Sequence, residues 1–183
     1  MAHSPALFET LRDAQRFGFF GDRPIDEAIA HAGHFVTALA DVPHGASVID
    51  LGAGGGLPGL VLAEARPDLH LVLLDRRQKR TDFLQRAVQR LDFERVEVWH
   101  RDAEDVVVDV SLGRHSPFDG AVARGFGPPE VTLRTAVGVV RRAGVVVISE
   151  PPTGDRWGGA ILDELGVEVE TRGTVVRFRV VAG

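Results

Sequence analysis

Short, wholly apolar segments alternate with helical segments over most of the chain, and this alternation constrains the fold more than any other feature. Ser47–Leu51, Leu69–Leu74, Phe118–Ala123 and Val145–Ile148 each have the length and composition of a buried strand. Apolar residues recur every three or four positions, as on one face of a helix, in the segments Leu57–Ala65, Arg77–Leu91, Pro129–Arg141 and Trp157–Leu165. Strands that are apolar on both sides need helices on both faces, so the pattern predicts a parallel, doubly wound sheet.

The two ends of the chain extend this pattern. Ser4-Pro5 and Asp22-Arg23-Pro24 are typical helix starts, which predicts two helices before residue 45. Near the other end, strands 167–170 and 174–181 flank a tight turn at Arg172-Gly173 and should pair antiparallel. Val96–Trp99 completes a set of seven strands. We therefore predict an α/β fold whose seven-stranded sheet is mostly parallel with an antiparallel last strand, and in which the helices of residues 1–45 pack on a core formed by residues 46–183.

Composition narrows the functional classes. The 183 residues suffice for one domain, and the lack of cysteine excludes disulfides, zinc fingers, iron–sulfur clusters and a cysteine nucleophile. The net charge of −5 argues against a strongly basic nucleic-acid-binding protein, but not against a local basic patch. No apolar run approaches the length of a membrane span and the first dozen residues include charges, so we expect a cytoplasmic protein without a membrane partner. His31 and His34 have no third ligand nearby, and no metal site is predicted.

Five glycines lie within eight residues after the first predicted strand, in Asp50-Leu51-Gly52-Ala53-Gly54-Gly55-Gly56-Leu57-Pro58-Gly59. Glycine permits positive φ and lets a ligand approach the backbone closely. A Walker nucleotide loop is excluded, because Leu60 and Val61 stand where lysine and serine or threonine are required. A nicotinamide dinucleotide fits the G-x-G-x-x-G spacing formally. However, the first glycine after the strand is Gly52, and counted from Gly52 the third glycine position of this pattern is occupied by Leu57.

S-adenosylmethionine (SAM) is the third candidate ligand, since it needs a close backbone for its methionine part and a carboxylate for its ribose hydroxyls. Asp50 is placed to accept N–H groups of the glycine loop, and Asp75 ends the second strand, where it can accept both ribose hydroxyls. Asp102 and Glu104 follow the third strand and are placed to flank the adenine. Because carboxyl ends of parallel strands meet at one edge of the sheet, these acids converge on one crevice.

On these residues the sequence resembles the class I SAM-dependent methyltransferases. More narrowly, it resembles the RsmG (GidB) family, bacterial enzymes that methylate guanine N7 in small-subunit ribosomal RNA. The resemblance rests on the glycine loop with its Leu57-Pro58-Gly59, on Leu73-Leu74-Asp75 with Lys79-Arg80 behind it, on Asp102-Ala103-Glu104 and on Phe118–Arg124.

The resemblance implies roles for individual residues. Gly52 and Leu57 should line the methionine side of the cofactor, Asp75 should hold the ribose, and Ala103 and Glu104 should border the adenine. Arg124 matches a family arginine on the cofactor and substrate side and is our predicted catalytic residue. The complete predicted cofactor set is Asp50, Gly52, Gly54, Gly56, Leu57, Asp75, Asp102, Ala103, Glu104 and Arg124.

Several segments depart from the family pattern. The family usually carries Asn-Leu-Thr and His-x-x-Asp-Ser-Leu in its N-terminal part, whereas this chain has Arg16–Gly21 and His34–Leu39. The family usually has alanine after the matching arginine, whereas Gly125 follows Arg124 here.

A basic segment follows the second predicted strand. Residues 76–86 contain five cationic side chains and one acid. We predict that Arg76, Arg77, Lys79 and Arg80 contact phosphates of an RNA substrate, because the carboxyl ends of the strands face the ligand side. The alternative is an ordinary solvated surface. Phe126 and Trp157 have aromatic rings that could stack on a base. The expected role of each is packing in the core or anchoring a loop.

The sequence thus predicts a SAM-dependent methyltransferase that methylates guanine N7 in 16S ribosomal RNA, with the RNA or the small ribosomal subunit as its partner. Guanine N7 already carries a lone pair, so holding it in line with the methyl group is the main catalytic requirement. A small-molecule methyltransferase is one alternative, which the net acidity and the N-terminal departures favour. A non-catalytic SAM-binding protein is the other.

Overall fold

A computed structural model describes residues 3–150, 156–171 and 173–181. Seven helices and seven strands lie in these ranges. The helices are α1 (Pro5–Arg16), α2 (Ile25–Ala38), α3 (Gly59–Ala65), α4 (Gln78–Arg90), α5 (Ala103–Ser111), α6 (Pro129–Val139) and α7 (Gly159–Leu165). The strands are β1 (Ser47–Leu51), β2 (His70–Asp75), β3 (Val96–His100), β4 (Phe118–Ala123), β5 (Val140–Ser149), β6 (Val167–Thr171) and β7 (Val175–Val180). Within these ranges, every helix falls short of the length and hydropathy that a membrane span requires.

The strands form one sheet in the order β3-β2-β1-β4-β5-β7-β6. The first five strands of this order run parallel, and β7 pairs antiparallel with both β5 and β6. The predicted α/β fold with a mostly parallel sheet and a reversed last strand is confirmed. Strand order changes direction between β1 and β4. In open α/β sheets a crevice forms beyond the carboxyl ends of the strands at such a point, and ligands bind there.

Helices cover both faces of the sheet because the strands are apolar on both sides. Val48 of β1 packs into the layer formed by α1 to α4, whereas its neighbour Ile49 packs into the layer formed by α5 to α7. Successive strand residues point to opposite faces, so a fully apolar strand serves two cores at once. The sheet therefore lies between two hydrophobic layers, with its strand ends free at the edges.

The two N-terminal helices belong to the first of these layers. Leu11 of α1 and Phe35 of α2 are fully buried in the same cluster as Leu60 of α3. The predicted helix start is confirmed, since the Ser4 hydroxyl accepts a hydrogen bond of 3.2 Å from Leu7 N. The division of the chain at residue 45 stays a prediction. It falls in the turn between α2 and β1.

The start of β5 differs from the prediction. β5 begins at Val140 rather than Val145, with Ala143 at a φ of 60° and a register shift against β4. Because β5 already begins at Val140, α6 ends at Val139 and not at Arg141. Nothing in the apolar pattern signals a bulge of this kind.

Two further boundaries also differ. α3 begins at Gly59 rather than Leu57, because a turn occupies the preceding residues of the glycine loop. α7 begins at Gly159 rather than Trp157, and the indole packs in the core instead. Of the predicted turn before β7, Arg172 lies outside the described residues.

Candidate active site

The glycine loop is fixed to the end of β1 by a buried carboxylate. Asp50 is 1% exposed, and its Oδ2 accepts a hydrogen bond of 2.9 Å from Gly59 N at the start of α3. A Cβ on Gly59 would lie 2.3 Å from Leu73 Cδ2 and 2.7 Å from that same oxygen. Only glycine therefore lets the helix begin so close to the strands. Asp50 organises the loop from below, and its contact with a cofactor stays a prediction.

A second buried carboxylate holds the middle of the loop. Asp75, at the end of β2, accepts a hydrogen bond of 3.0 Å from Gly54 N at Oδ2 and one of 2.9 Å from Arg77 N at Oδ1. Arg80 Nη1 lies 3.4 Å from Oδ2. Carboxylate oxygens offer about four lone-pair directions in all. Asp75 thus keeps one free acceptor direction and gains another if Arg80 moves away.

The residues that follow β2 and β3 surround a cavity of about 330 Å³, which we call the β2–β3 cavity. Its walls contain Gly52, Asp75, Asp102, Ala103 and Glu104 of the predicted cofactor set. The structure thus brings these residues together although they come from three different loops. Its mouth also contains cationic side chains, namely Arg76, Arg77, Arg80 and Arg101.

Other predicted residues do not line this cavity. Gly54, Gly56 and Leu57 are buried residues of the glycine loop itself, and Leu57 packs in the core layer of α1 to α4. Lys79 is exposed outside the cavity, and Arg124 points to a neighbouring one. Sequence reasoning missed Arg101, which lies directly before the Asp102-Ala103-Glu104 segment that it did use.

Phe126 lies against the backbone of Gly52. Gly52 has a φ of 69°, and a Cβ there would lie 2.9 Å from Phe126 Cδ2. The ring can therefore cover this residue only because Gly52 has no side chain. Phe126 is also part of the walls of two cavities, the one described above and the one that follows.

The second cavity, of about 650 Å³, opens beyond the ends of β4 and β5, and we call it the β4–β5 cavity. Its lining combines cationic and neutral polar side chains with an apolar strand end, and includes Arg23, His31, Arg124, Thr132, Ile148 and Arg156. Arg23 and His31 come from the N-terminal helical part. Sequence reasoning gave neither of them a role in the site, because nothing local to α2 shows that it faces β4.

Burial shifts the pKa values of three groups along this crevice. Desolvation raises the pKa of Asp50 to about 7, although the Gly59 N–H and the charge of Arg124 act in the opposite direction. Desolvation, followed by the charges of Arg124 and Arg23, lowers the pKa of His31 to about 4. The pKa of Arg124 is also lowered, by its own burial and by Arg23. At neutral pH His31 is therefore uncharged, and Arg124 remains a cation.

The remaining candidates lie elsewhere or have a structural role. Trp157 is 3% exposed and packs edge-on against Phe178 with 5.1 Å between ring centroids, which confirms its expected place in the core. Over the described ranges, no group of three histidine or acidic side chains is arranged to hold a metal ion. A third cavity, of about 630 Å³, lies between α1 and α2 and contains none of the predicted site residues.

Comparisons with known proteins identify the family of the chain. Residues 12–150 match the GidB family, described as rRNA small subunit methyltransferase G. The chain belongs to this family. It is 36% identical over 155 residues to ribosomal RNA small subunit methyltransferase G of Salinispora arenicola, which covers 70% of this chain and 64% of that protein. The protein of the same name from Thermobifida fusca is 39% identical over 148 residues, covering 74% of this chain and 60% of that protein.

The chain thus spans less than two thirds of the length of these GidB-family relatives. Among solved structures, precorrin-6y C5,15-methyltransferase from Geobacter metallireducens superposes with a TM-score of 0.58 at 16% identity, covering 81% of this chain and 85% of that one. This similarity shows that the GidB-family chain shares the fold of class I methyltransferases.

Gly52→Ala should destabilise the protein by more than backbone strain alone. Alanine in the left-handed region costs about 1–2 kcal/mol of unfolding free energy. At Gly52 the new methyl group must also displace the Phe126 ring. The matched control is Gly113→Ala, since Gly113 has a φ of 68° and nothing within 4 Å of its added Cβ. Urea unfolding should show a larger loss for Gly52→Ala than for Gly113→Ala.

The double variant Gly52→Ala/Phe126→Ala tests the cause of that extra loss. If the alanine methyl group at position 52 clashes with the Phe126 ring, Phe126→Ala should recover the part of the stability loss that exceeds the loss at Gly113. The effects of substitutions at residues in contact do not simply add. Equal losses at positions 52 and 113, with no recovery in the double variant, would show that Phe126 does not rest on Gly52 in solution.

Asp50→Asn should change how stability depends on pH. Because the folded pKa of Asp50, about 7, exceeds the ordinary 3.8, the wild-type carboxyl makes stability fall as pH rises from about 4 to 7. His31, whose pKa is lowered to about 4, acts in the opposite direction between about pH 4 and 6.5. An asparagine oxygen still accepts from Gly59 N but does not titrate. The stability of the variant relative to wild type should therefore increase as the pH rises from about 4 to 7, by a total on the order of 2–4 kcal/mol. Above about pH 7 this difference should stay constant.

The measurement is urea unfolding at half-unit pH intervals, with the exposed Asp163→Asn on α7 as the control. Parallel stability curves for wild type and Asp50→Asn would mean that Asp50 is ionised in the folded protein at pH 5.

Proposed function

We propose that this protein is a SAM-dependent methyltransferase that methylates guanine N7 in 16S ribosomal RNA. The observation that carries the proposal is the convergence of Gly52, Asp75 and residues 102–104 on one cavity, in a chain of the GidB family. The names of the relatives from Salinispora arenicola and Thermobifida fusca support ribosomal RNA as the acceptor.

The β2–β3 cavity fits SAM. Gly52 lines the cavity without a side chain, so its backbone becomes open to close approach of the methionine part when the Phe126 ring moves aside. Asp75 has acceptor capacity for a ribose hydroxyl, and moving Arg80 would free a place for the second. Ala103, 4% exposed, offers a small apolar wall for the adenine between the acids Asp102 and Glu104. In support, a class I structure at TM-score 0.55, coclaurine N-methyltransferase, was solved with S-adenosylhomocysteine (SAH).

The other residues of the predicted cofactor set have indirect roles in this proposal. Asp50 fixes the glycine loop to the end of β1. Within the loop, Gly54, Gly56 and Leu57 are buried and set its shape rather than lining the cavity. Arg124 stands at the end of β4, where its charge faces the β4–β5 cavity close to the shared wall. We assign Arg124 the role of orienting the reactants across that wall.

The chemistry needs little beyond positioning. When bound, SAM supplies an electrophilic methyl group on a positively charged sulfur. The guanine N7 lone pair forms a bond to the methyl carbon while the carbon–sulfur bond breaks, which leaves SAH and a cationic base, and no proton moves. Alignment of the two reactants is worth several orders of magnitude in rate. No general base is therefore required among the residues of the crevice.

The basic rim of the β2–β3 cavity gives the RNA backbone a place to bind. Arg76 and Arg77 are exposed, and Arg80 and Arg101 stand beside them. Phosphate contacts hold and orient a nucleic acid without reading its sequence. We propose that these four arginines, with Lys79 just outside the cavity, hold the RNA strand near the cofactor.

Methyl transfer from labelled SAM to small ribosomal subunits that lack the family's modification tests the proposal. We expect label at guanine N7 with the wild type. Arg124→Ala should still bind SAH but lose most transfer, because it disturbs alignment rather than the cofactor cavity. Arg142→Ala is the matched control, since Arg142 is an exposed arginine at the opposite end of the sheet.

The outcomes separate the competing functions. SAH binding without label in assembled subunits or in protein-free RNA would contradict the RNA acceptor and favour a small-molecule acceptor or a non-catalytic SAM-binding protein. Absence of SAH binding would contradict the cofactor itself. Transfer by Arg124→Ala at the wild-type rate would remove Arg124 from the mechanism.

A further inference from the structure

Three described residues that line the β4–β5 cavity each have a buried polar atom without a hydrogen-bond partner. In the described part of the chain, His31 Nδ1, Arg124 Nη1 and Thr132 Oγ1 are buried and make no hydrogen bond. All three residues line this cavity. Buried polar groups are nearly always satisfied, since leaving one unpaired costs about 1–3 kcal/mol. Their coincidence around one space indicates a ligand with several hydrogen-bonding atoms.

Charge indicates the nature of that ligand. Among the described residues, Arg23 and Arg124 form no ion pair, although Arg23 is close enough to lower the pKa of Arg124. Asp22 and Glu150 also line the cavity, and the charge of Asp50 acts on Arg124. Arg23 still lowers the pKa of Arg124, and an anion between the two arginines would relieve their repulsion. Arg156 also lines the cavity, but Glu150 pairs with it at 3.0 Å. The free cationic charge therefore lies on the side of the N-terminal helices.

The same cavity has features that suit a planar base. Phe126 and Ile148 supply apolar surface, and Phe126 is aromatic. Thr132 is 3% exposed, and its Oγ1 would lie 3.8 Å from a Cβ on Gly127, so the hydroxyl is close to the shared wall. At neutral pH His31 is an uncharged imidazole, which offers one donor and one acceptor. A volume of about 650 Å³ leaves room for a whole nucleotide.

We infer that the β4–β5 cavity binds the methyl-accepting guanosine phosphate unit of the RNA, with Arg23 on its phosphate and His31 and Thr132 on polar atoms of its base. The inference rests on the proposed function. It places the methyl acceptor among residues that lie outside the cofactor cavity. Phe126, Gly125 and Gly127 form the wall between the two cavities. A base in this position lies beside this wall, which would have to move aside for its N7 to meet a methyl group held in the β2–β3 cavity.

Two N-terminal residues thereby become part of substrate recognition. Arg23 precedes α2 and His31 lies within it, between the two N-terminal segments that depart from the usual sequence of the family. The N-terminal helical part then forms one side of the acceptor site in addition to packing on the core.

Calorimetric binding of guanosine 5′-monophosphate (GMP) tests the site directly. We expect the wild type to bind GMP more tightly than inorganic phosphate or guanosine alone, whether or not SAH is present. Arg23→Ala should weaken GMP binding by about tenfold or more, since a hydrogen bond to a charged group is lost. Thr132→Val keeps the side-chain shape and should weaken it by about two- to tenfold. Arg90→Ala, which removes an exposed arginine at the end of α4, is the control and should leave it unchanged.

Three results would overturn the inference. GMP binding no tighter than that of inorganic phosphate would leave only an anion site. A Kd for GMP that rises in proportion to SAH concentration would mean that the cofactor occupies this cavity. Equal GMP affinity in wild type, Arg23→Ala and Thr132→Val would place the nucleotide elsewhere.

Failure of the proposed function is distinguishable from failure of this site. If the wild type transfers no methyl group to RNA but binds GMP through Arg23 and Thr132, the reaction is wrong and the nucleotide site stands. If the wild type methylates RNA, Arg23→Ala should raise the KM for RNA and leave the Kd for SAH unchanged. A normal KM for RNA in that variant would contradict the acceptor site while leaving the methyltransferase intact.

Discussion

The hydrogen bond from Gly59 N to the buried carboxylate of Asp50 fixes the distance between the end of β1 and the start of α3. A second one, from Gly54 N to Asp75, fixes the loop against the end of β2. Together they force the intervening chain into a tight turn that leaves Gly52 at the crevice, covered only by Phe126. Backbone N–H groups offset only part of the cost of burying these two acids, since Asp50 Oδ1 has no partner among the described residues and burial raises the pKa of Asp50 to about 7.

From that loop the arrangement of the site follows. The β2–β3 cavity and the β4–β5 cavity share Gly125, Phe126 and Gly127 as a common wall. Methyl transfer needs direct contact between the acceptor nitrogen and the methyl carbon, so this wall would have to move aside when both ligands are bound. The acids of the first cavity suit ribose and adenine, and Arg23 and Arg124 of the second suit a phosphate. Each cavity is lined by both acids and arginines, so the net charge of −5 describes neither of them.

Part of this architecture is readable from sequence because it depends on local rules. Asp75 and Glu104 were predicted in the cavity because each ends or follows a parallel strand. The predicted contact of Gly54 and Gly56 with the cofactor stays a prediction, since glycine spacing does not distinguish a contact from a turn. Arg23 and Thr132 come from distant elements, and their meeting depends on how α2 and α6 pack beyond β4. The insertion of β7 between β5 and β6 likewise depends on long-range pairing.

A crystal structure of the protein with SAH tests the account most directly, because every proposed role depends on where the cofactor lies. We expect the ribose hydroxyls at Asp75 with Arg80 moved from its present 3.4 Å contact, the adenine against Ala103, and the β4–β5 cavity free of ligand. SAH bound with its ribose away from Asp75, or filling the space among Arg23, His31 and Thr132, would contradict the account.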